Sequence, residues 1–488
     1  MKARKITLSI LAIFSMLLIA GSCSPDKNGT NTDNAPSVGV EISKLESHSV
    51  TISVSTKLAD SGAWLIVENG TALPSVESVL SEGEAFDVSN DITLSSNSLM
   101  PETNYTALVA VANAHGSDMA TVEFTTTAAE YCDNHALIVF MQGDNGLADF
   151  MDINLQNIIA EYYNLPEGAQ VVIFYDRGNY TRLTELYLSD GIVKQRLIKD
   201  YNRTLSSVDP EFMKGVFDLI KQEIVADSYG IILSSHGGGW VPGEIYTHYL
   251  RYDWNALESG EPSARPYFYG QDGSDYLEVP VLAEILADFH FEYIIFDACF
   301  MSSVEALYDL RNNSDYIIAS SAEVLGNGFP YSAILSKLFL KGHGLQSACE
   351  AYMDLFRDSS GTISLIDCSE LDNLATAMAN VVAASDNDID PTQIQGYESY
   401  PIHLYYDLEQ HIEQMTDDEA LRTAFRTALD KAVVFTDHTP TFFSGLRGEH
   451  TMDLPRSCGL TCHVEREEFP ETHAAYLETD WAKAIGAK

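Results

Sequence analysis

The pattern of apolar and polar positions changes once along the chain. From Ser37 to about Thr127 it alternates with period two, and "VEISKLESHSVTISVSTK" and "ATVEFTTT" read as half-buried strands separated by turn-rich stretches. From Cys132 onward, continuous apolar runs take over. "ALIVFMQ" has the unbroken hydrophobicity of a strand buried on both faces, and a helical pattern, "LADFMDINLQNIIAEYY", follows it after the turn "GDNG". "QVVIFYD" then predicts a strand, "TELYLSD" and "VKQRLIK" a hairpin, and residues 210–226 a helix. Next come strand "YGIILSSHGGG", helix "VPVLAEILADF", strand "YIIFDAC" and helix "SSVEALYDL". Strands "YIIASS" and "TISLID" enclose the helix "LQSACEAYMDLF". This alternation implies an α/β fold with a mostly parallel sheet between helical layers. Past about residue 370 the chain is more helical and then irregular, with "GLTCHV" as a short candidate strand.

The N-terminus follows a different logic. Lys2, Arg4 and Lys5 precede the apolar stretch Ile6 to Ala20, then "AGSC" and a Ser/Asn/Asp/Thr-rich segment. This is the layout of a targeting sequence. Small residues before Cys23 resemble a lipobox, in which Cys23 is lipidated and becomes the new N-terminus. The expected organisation is a signal peptide over 1–22, a lipid anchor and tether over 23–36 and a β-sandwich over 37–128. An α/β core over 129–390 and its C-terminal part over 391–488 complete the chain. The Pro turn and the Tyr105 strand in "LMPETNYTALVAVANAHG" resemble a fibronectin type III or immunoglobulin-like sandwich, with Tyr105 as the corner tyrosine. No later stretch reaches the roughly 18 apolar residues a membrane helix needs. The expected location is therefore the bacterial cell envelope, as an outer-membrane or surface lipoprotein held only by its acyl chains.

Charge narrows the partners. With 28 basic against 71 acidic residues, the net charge is −43. A surface so acidic repels nucleic acid and acidic lipid headgroups, leaving peptides or proteins as the expected partners of a monomer. Six cysteines remain besides Cys23, at spacings that match no zinc pattern; "CGLTC" lacks the companion Cys or His pair of a zinc site.

Two apolar strands end in reactive side chains, His236 in "ILSSHGGGW" and Cys299 in "IIFDAC". Sites in open α/β sheets form beyond the carboxyl ends of the strands, so neighbouring strands would bring the two residues to one rim. A thiol nucleophile with an imidazole partner is the requirement for acyl transfer, and the N–H groups of Gly237 and Cys299 would cradle the oxyanion. No third, orienting residue is evident, so a dyad is expected. The same "HGGG" also occurs in α/β-hydrolase esterases, but no Gly-x-Ser-x-Gly elbow is present. A non-catalytic adhesin using the β-sandwich is the other alternative. No Walker loop, His-Glu-x-x-His or dinucleotide fingerprint appears.

"SSHGGGW" and "DAC", together with "MQGDNGLADF", "GNGFPY", "YYDLEQHI" and the terminal "CGLTCHV", resemble clostripain-type cysteine peptidases of the caspase-like clan. The resemblance spans about residues 132 to 488. It implies a caspase-like α/β/α sandwich and endopeptidase activity, probed most directly at Cys299 and His236. It also implies that Asp297 helps bind a basic residue, Arg or Lys, on the acyl side of the scissile bond (P1). Residues i and i+2 on a strand share a face, which would put Asp297 beside Cys299, where a bidentate guanidinium pair favours Arg. Asn327 stands where Arg-specific relatives carry a second pocket acid, which weakens that selectivity. Gly143, Asp144 and Asn145 read as structural at the first strand's end. Relatives are often cut between the His and Cys strands; Pro266 disfavours Arg265 there, leaving Arg251 as the expected autocleavage point. No cofactor is required by this chemistry; calcium dependence occurs in the family, but no ligand constellation is visible.

Overall fold

A computed structural model of the chain describes residues 34–88, 92–96, 99–201, 206–243, 269–342, 344–385, 389–445 and 450–488. The expected signal peptide, Cys23, most of the expected tether, Arg251 and Arg265 lie outside the described residues. The chain divides into two compact units, the first drawn from residues up to Glu123 and the second mostly from Phe124 to Lys488.

The alternating N-terminal pattern forms two small sheets. Ser37–Leu45, Val50–Lys57 and Ile92–Ser96 make one; Glu84–Phe86, Ser61–Glu68, Asn104–Asn113 and Gly116–Thr125 make the other in that spatial order. Ser61–Glu68 runs antiparallel to both of its neighbours. Tyr105 to Val111 are buried without interruption, although the local sequence alternates only weakly. The cause on one face is a helix, Val76–Glu82, whose Val79 packs on Leu108 and Ala110. Ser75 caps this helix through the N–H of Ser78.

In the second unit nine strands share one sheet. They are β1 His135–Gln142, β2 Gln170–Asp176, β3 Thr181–Ser189, β4 Ile192–Tyr201, β5 Ser228–Ser234, β6 Phe291–Asp297, β7 Ser314–Ala319, β8 Thr362–Asp367 and β9 Val433–His438. Their order is β4-β3-β2-β1-β5-β6-β7-β8-β9. The five central strands, β2 to β7 in that order, are parallel. Both flanks are antiparallel, β3 and β4 on one side and β8 and β9 on the other. β3 and β4 form the expected hairpin, whose Asp190 (φ 56°) and Gly191 (φ 71°) take the left-handed conformations of a type I′ turn.

All eight residues of β1 are buried because both faces are covered. The flanking helices are α1 Ala148–Glu161, α2 Pro210–Glu223, α3 Val279–Leu286, α4 Val304–Leu310, α5 Gly344–Phe356 and α6 Leu371–Ala384. Ile138, Phe140, Ile294 and Phe296 point into a core built with α2, α3, α4 and α6. Leu137, Val139, Tyr293 and Ile295 point the other way, into a core built with α1 and α5. This is an α/β/α sandwich. The C-terminal segment contributes β9 to the sheet, while "GLTCHV" keeps only Thr461–Cys462 as a strand, paired with Tyr406–Asp407. Cys132, Cys299, Cys349, Cys368, Cys458 and Cys462 are all free thiols. No helix among the described residues is long and apolar enough to cross a membrane.

Candidate active site

The register of two neighbouring strands sets the site. Ser234 at the end of β5 lies opposite Asp297 at the end of β6. Two residues further along each chain stand His236 and Cys299, at equal reach beyond the carboxyl edge and on strands spaced about 4.8 Å apart. Both are half-buried and both line a cavity of about 570 Å³ that Asp297 and Gly237 also border.

The chain turns sharply after the thiol. Phe300 adopts φ 58°, a left-handed conformation that costs a bulky residue on the order of 1–3 kcal/mol. Its N–H donates to the Ala322 carbonyl (3.0 Å), and its ring stacks on Tyr405 with centroids 4.5 Å apart. Tyr405 in turn donates its hydroxyl to the Gly238 carbonyl (2.6 Å), tying the glycine loop to the Cys299 turn. Gly237 is obligatory here, because a Cβ would stand 2.7 Å from the Cys299 carbonyl oxygen and 2.8 Å from the Ala298 methyl. Ser302 Oγ donates to the Gly459 carbonyl (2.6 Å) and the Thr461 N–H donates to the Ser302 carbonyl (2.9 Å). The C-terminal "CGLTC" is thus a buttress for the turn.

Asp297 and Cys299 do not share a face through strand pleating, contrary to their i, i+2 spacing. β6 ends at Asp297, so Cys299 lies past the pleated segment and packs against the core opposite to that of Tyr293 and Ile295. The two side chains still border one cavity, brought there by the turn.

The electrostatics disfavour a resting thiolate. The Val324 N–H donates to Cys299 Sγ (3.4 Å), but burial, and after it the nearby Glu323 carboxylate, push the thiol's pKa up to about 12. Glu323, which accepts from Ser444 Oγ (2.6 Å) and the Gly445 N–H (3.0 Å), was not singled out by sequence; its signal was an acid within the small-residue stretch "SSAEVLGNG". Asp297 is buried, and burial raises its pKa, opposed by hydrogen bonds from Tyr331 Oη (2.8 Å), Ser234 Oγ (3.1 Å) and the Phe329 N–H (3.2 Å). Asn327 is exposed and does not border the cavity, whereas its neighbours Gly326 and Gly328 do. Asn145 donates to the carbonyls of Gln142 (2.8 Å) and Gln271 (2.9 Å) and accepts from the Leu147 N–H (2.9 Å), so it holds the turn after β1. Among the described residues, no group of three or more His, Cys, Asp or Glu is placed to hold a metal ion.

Comparison with known proteins gives one consistent result. The profile of the Clostripain family matches residues 139–439. Clostripain from Hathewaya histolytica is 29% identical over 135 residues, which are 27% of this chain and 24% of that protein, so the match spans about a quarter of the relative's length. Among solved structures, an inactive zymogen C11 protease from Parabacteroides distasonis is 26% identical with a TM-score of 0.64, covering 73% of this chain and 99% of the other. A secreted C11 cysteine protease from Bacteroides thetaiotaomicron, in complex with an irreversible peptide inhibitor, is also 26% identical with a TM-score of 0.64, covering 72% and 99%.

Proposed function

Because the chain belongs to the clostripain family of cysteine peptidases, we propose that it cleaves peptide bonds within proteins, with Cys299 as nucleophile and His236 as its acid–base partner. The observation that carries this reading is the equal reach of the two residues beyond the paired ends of β5 and β6, into one cavity. A thiol with a pKa near 12 needs its proton removed as it attacks, which is the task of the imidazole. His236 takes the Sγ proton while Sγ bonds to the scissile carbonyl carbon. The oxyanion is received by the N–H groups of Gly237 and Cys299. The imidazolium then protonates the departing amine, and the neutral ring activates water to hydrolyse the thioester. Asp297 at the cavity floor selects a basic P1 side chain. Export, lipidation of Cys23 and a spacer role for the N-terminal sheets complete the proposal, as does self-cleavage after Arg251.

Cys299→Ala and His236→Ala should each abolish cleavage of a peptide library with unchanged circular dichroism. Turnover retained in either variant overturns the dyad. Intact mass should resolve two fragments for the active protein and one chain for Cys299→Ala; an active single chain excludes the Arg251 cut.

A further inference from the structure

The floor of the cavity can be read by counting acceptor sites. A carboxylate offers about four, two on each oxygen. On Asp297, Oδ2 already receives Tyr331 Oη (2.8 Å) and Ser234 Oγ (3.1 Å), while Oδ1 receives the Phe329 N–H (3.2 Å). One site remains, and it is on Oδ1. The parallel fork of a guanidinium needs a free site on each oxygen. This carboxylate therefore cannot give the bidentate pairing that the sequence led one to expect.

A second polar group borders the same cavity. Asn154, on the inner side of α1, is 4% exposed. None of the described residues hydrogen-bonds its side chain. The carboxamide and the carboxylate meet at Gly328 (φ 67°): a Cβ there would stand 2.8 and 2.9 Å from the Asp297 oxygens and 3.0 Å from Asn154 Nδ2. The amide keeps contact with the cavity, so a bound ligand can supply its partners.

We infer that Asn154 is a specificity-determining residue of this pocket, and that with the single open site on Asp297 Oδ1 it selects a Lys ammonium over an Arg guanidinium at P1. The inference rests on the basic-P1 reading proposed above and refines it. An ammonium is compact and turns its three donors freely, so it can bond one acceptor on each of two residues. The terminal torsion of Asn154 is broad and twofold, so its amide oxygen can face the cavity. A guanidinium in the same place brings a rigid fork to a carboxylate with room for one N–H.

The test uses the full chain and fluorogenic peptides identical except for Lys, Arg or Leu at P1. The wild type should cleave Lys at least as fast as Arg, and both faster than Leu. Asn154→Leu should lose about tenfold in kcat/KM on Lys, the loss expected for one hydrogen bond to a charged group, and less on Arg. Asn154→Asp, of equal size, should shift the Lys/Arg ratio toward Arg by adding a second carboxylate. Because each ratio is taken on one preparation, a partly folded variant still reports it. Arg favoured tenfold over Lys by the wild type, or a Lys/Arg ratio unmoved in both variants, overturns this inference alone. Leu cleaved as fast as Lys and Arg overturns the basic-P1 reading, and the inference with it.

Discussion

Replacing Tyr331 by Phe removes one hydroxyl and tests the buried carboxylate directly. Tyr331 is fully buried, and its Oη makes the shortest of the three hydrogen bonds that Asp297 receives. A hydrogen bond to a charged group contributes about 1.5–3 kcal/mol net, against about 1 kcal/mol for a neutral pair. The expected loss is therefore about 2 kcal/mol where Asp297 is ionised and about half that where it is protonated. Burial holds the folded pKa of Asp297 above the ordinary carboxyl value. A group shifted this way contributes its stability in full below the unfolded pKa and loses it as pH rises through the folded one. Removing a donor raises the folded pKa further, so the deficit of the variant should widen as pH rises through that pKa. For a unit of this size, 2 kcal/mol corresponds to a Tm decrease of about 3 °C once Asp297 is ionised. The acid limb of kcat/KM on a Lys substrate should move to higher pH in the variant. Differential scanning calorimetry across the pH range in which the fold is stable, with the pH–rate profile, measures both. A Tm difference that stays constant with pH, or shrinks as pH rises, refutes the reasoning.

Three further outcomes follow from the same contacts. Iodoacetamide should alkylate Cys299 in the free protein at a rate that climbs without a plateau to above pH 9, and Glu323→Gln should accelerate it by removing a neighbouring negative charge; a plateau near neutrality would mean that a stable thiolate exists. Gly328→Ala places a methyl against both Asp297 oxygens at a left-handed φ, so activity on basic substrates should fall at least tenfold, and an unchanged rate counts against the pocket floor described. Glu305, fully buried in α4 and accepting from the His463 N–H (2.8 Å), has its pKa pushed up to about 8 by burial. Its contribution is present below the ordinary carboxyl range and lost as pH rises through about 8, so Glu305→Gln should gain stability relative to wild type between pH 5 and 9; a pH-independent difference in Tm contradicts this.

Much of the frame was legible in the residues themselves. An unbroken apolar run such as "ALIVFMQ" cannot be satisfied on an exposed sheet face, so it announces a strand covered on both sides. Asp190-Gly191 between two alternating segments specifies its own hairpin, and a His and a Cys placed directly after apolar strands already point to one rim. These are local properties, set by periodicity and backbone preference. Strand direction at the β8–β9 flank was not legible, because the two are antiparallel partners 67 or more residues apart, and apolar content is blind to direction. Nor were Tyr405 under Phe300, Gly459 behind Ser302, Glu323 beside the thiol or Asn154 facing Asp297. Each lies on a different element from its target. The sequence alone determined that an imidazole and a thiol stand just beyond the ends of two apolar strands. Only the tertiary structure decided how many acceptor sites Asp297 keeps open and which group stands opposite, because hydrogen-bond capacity is shared among residues that long-range packing brings together.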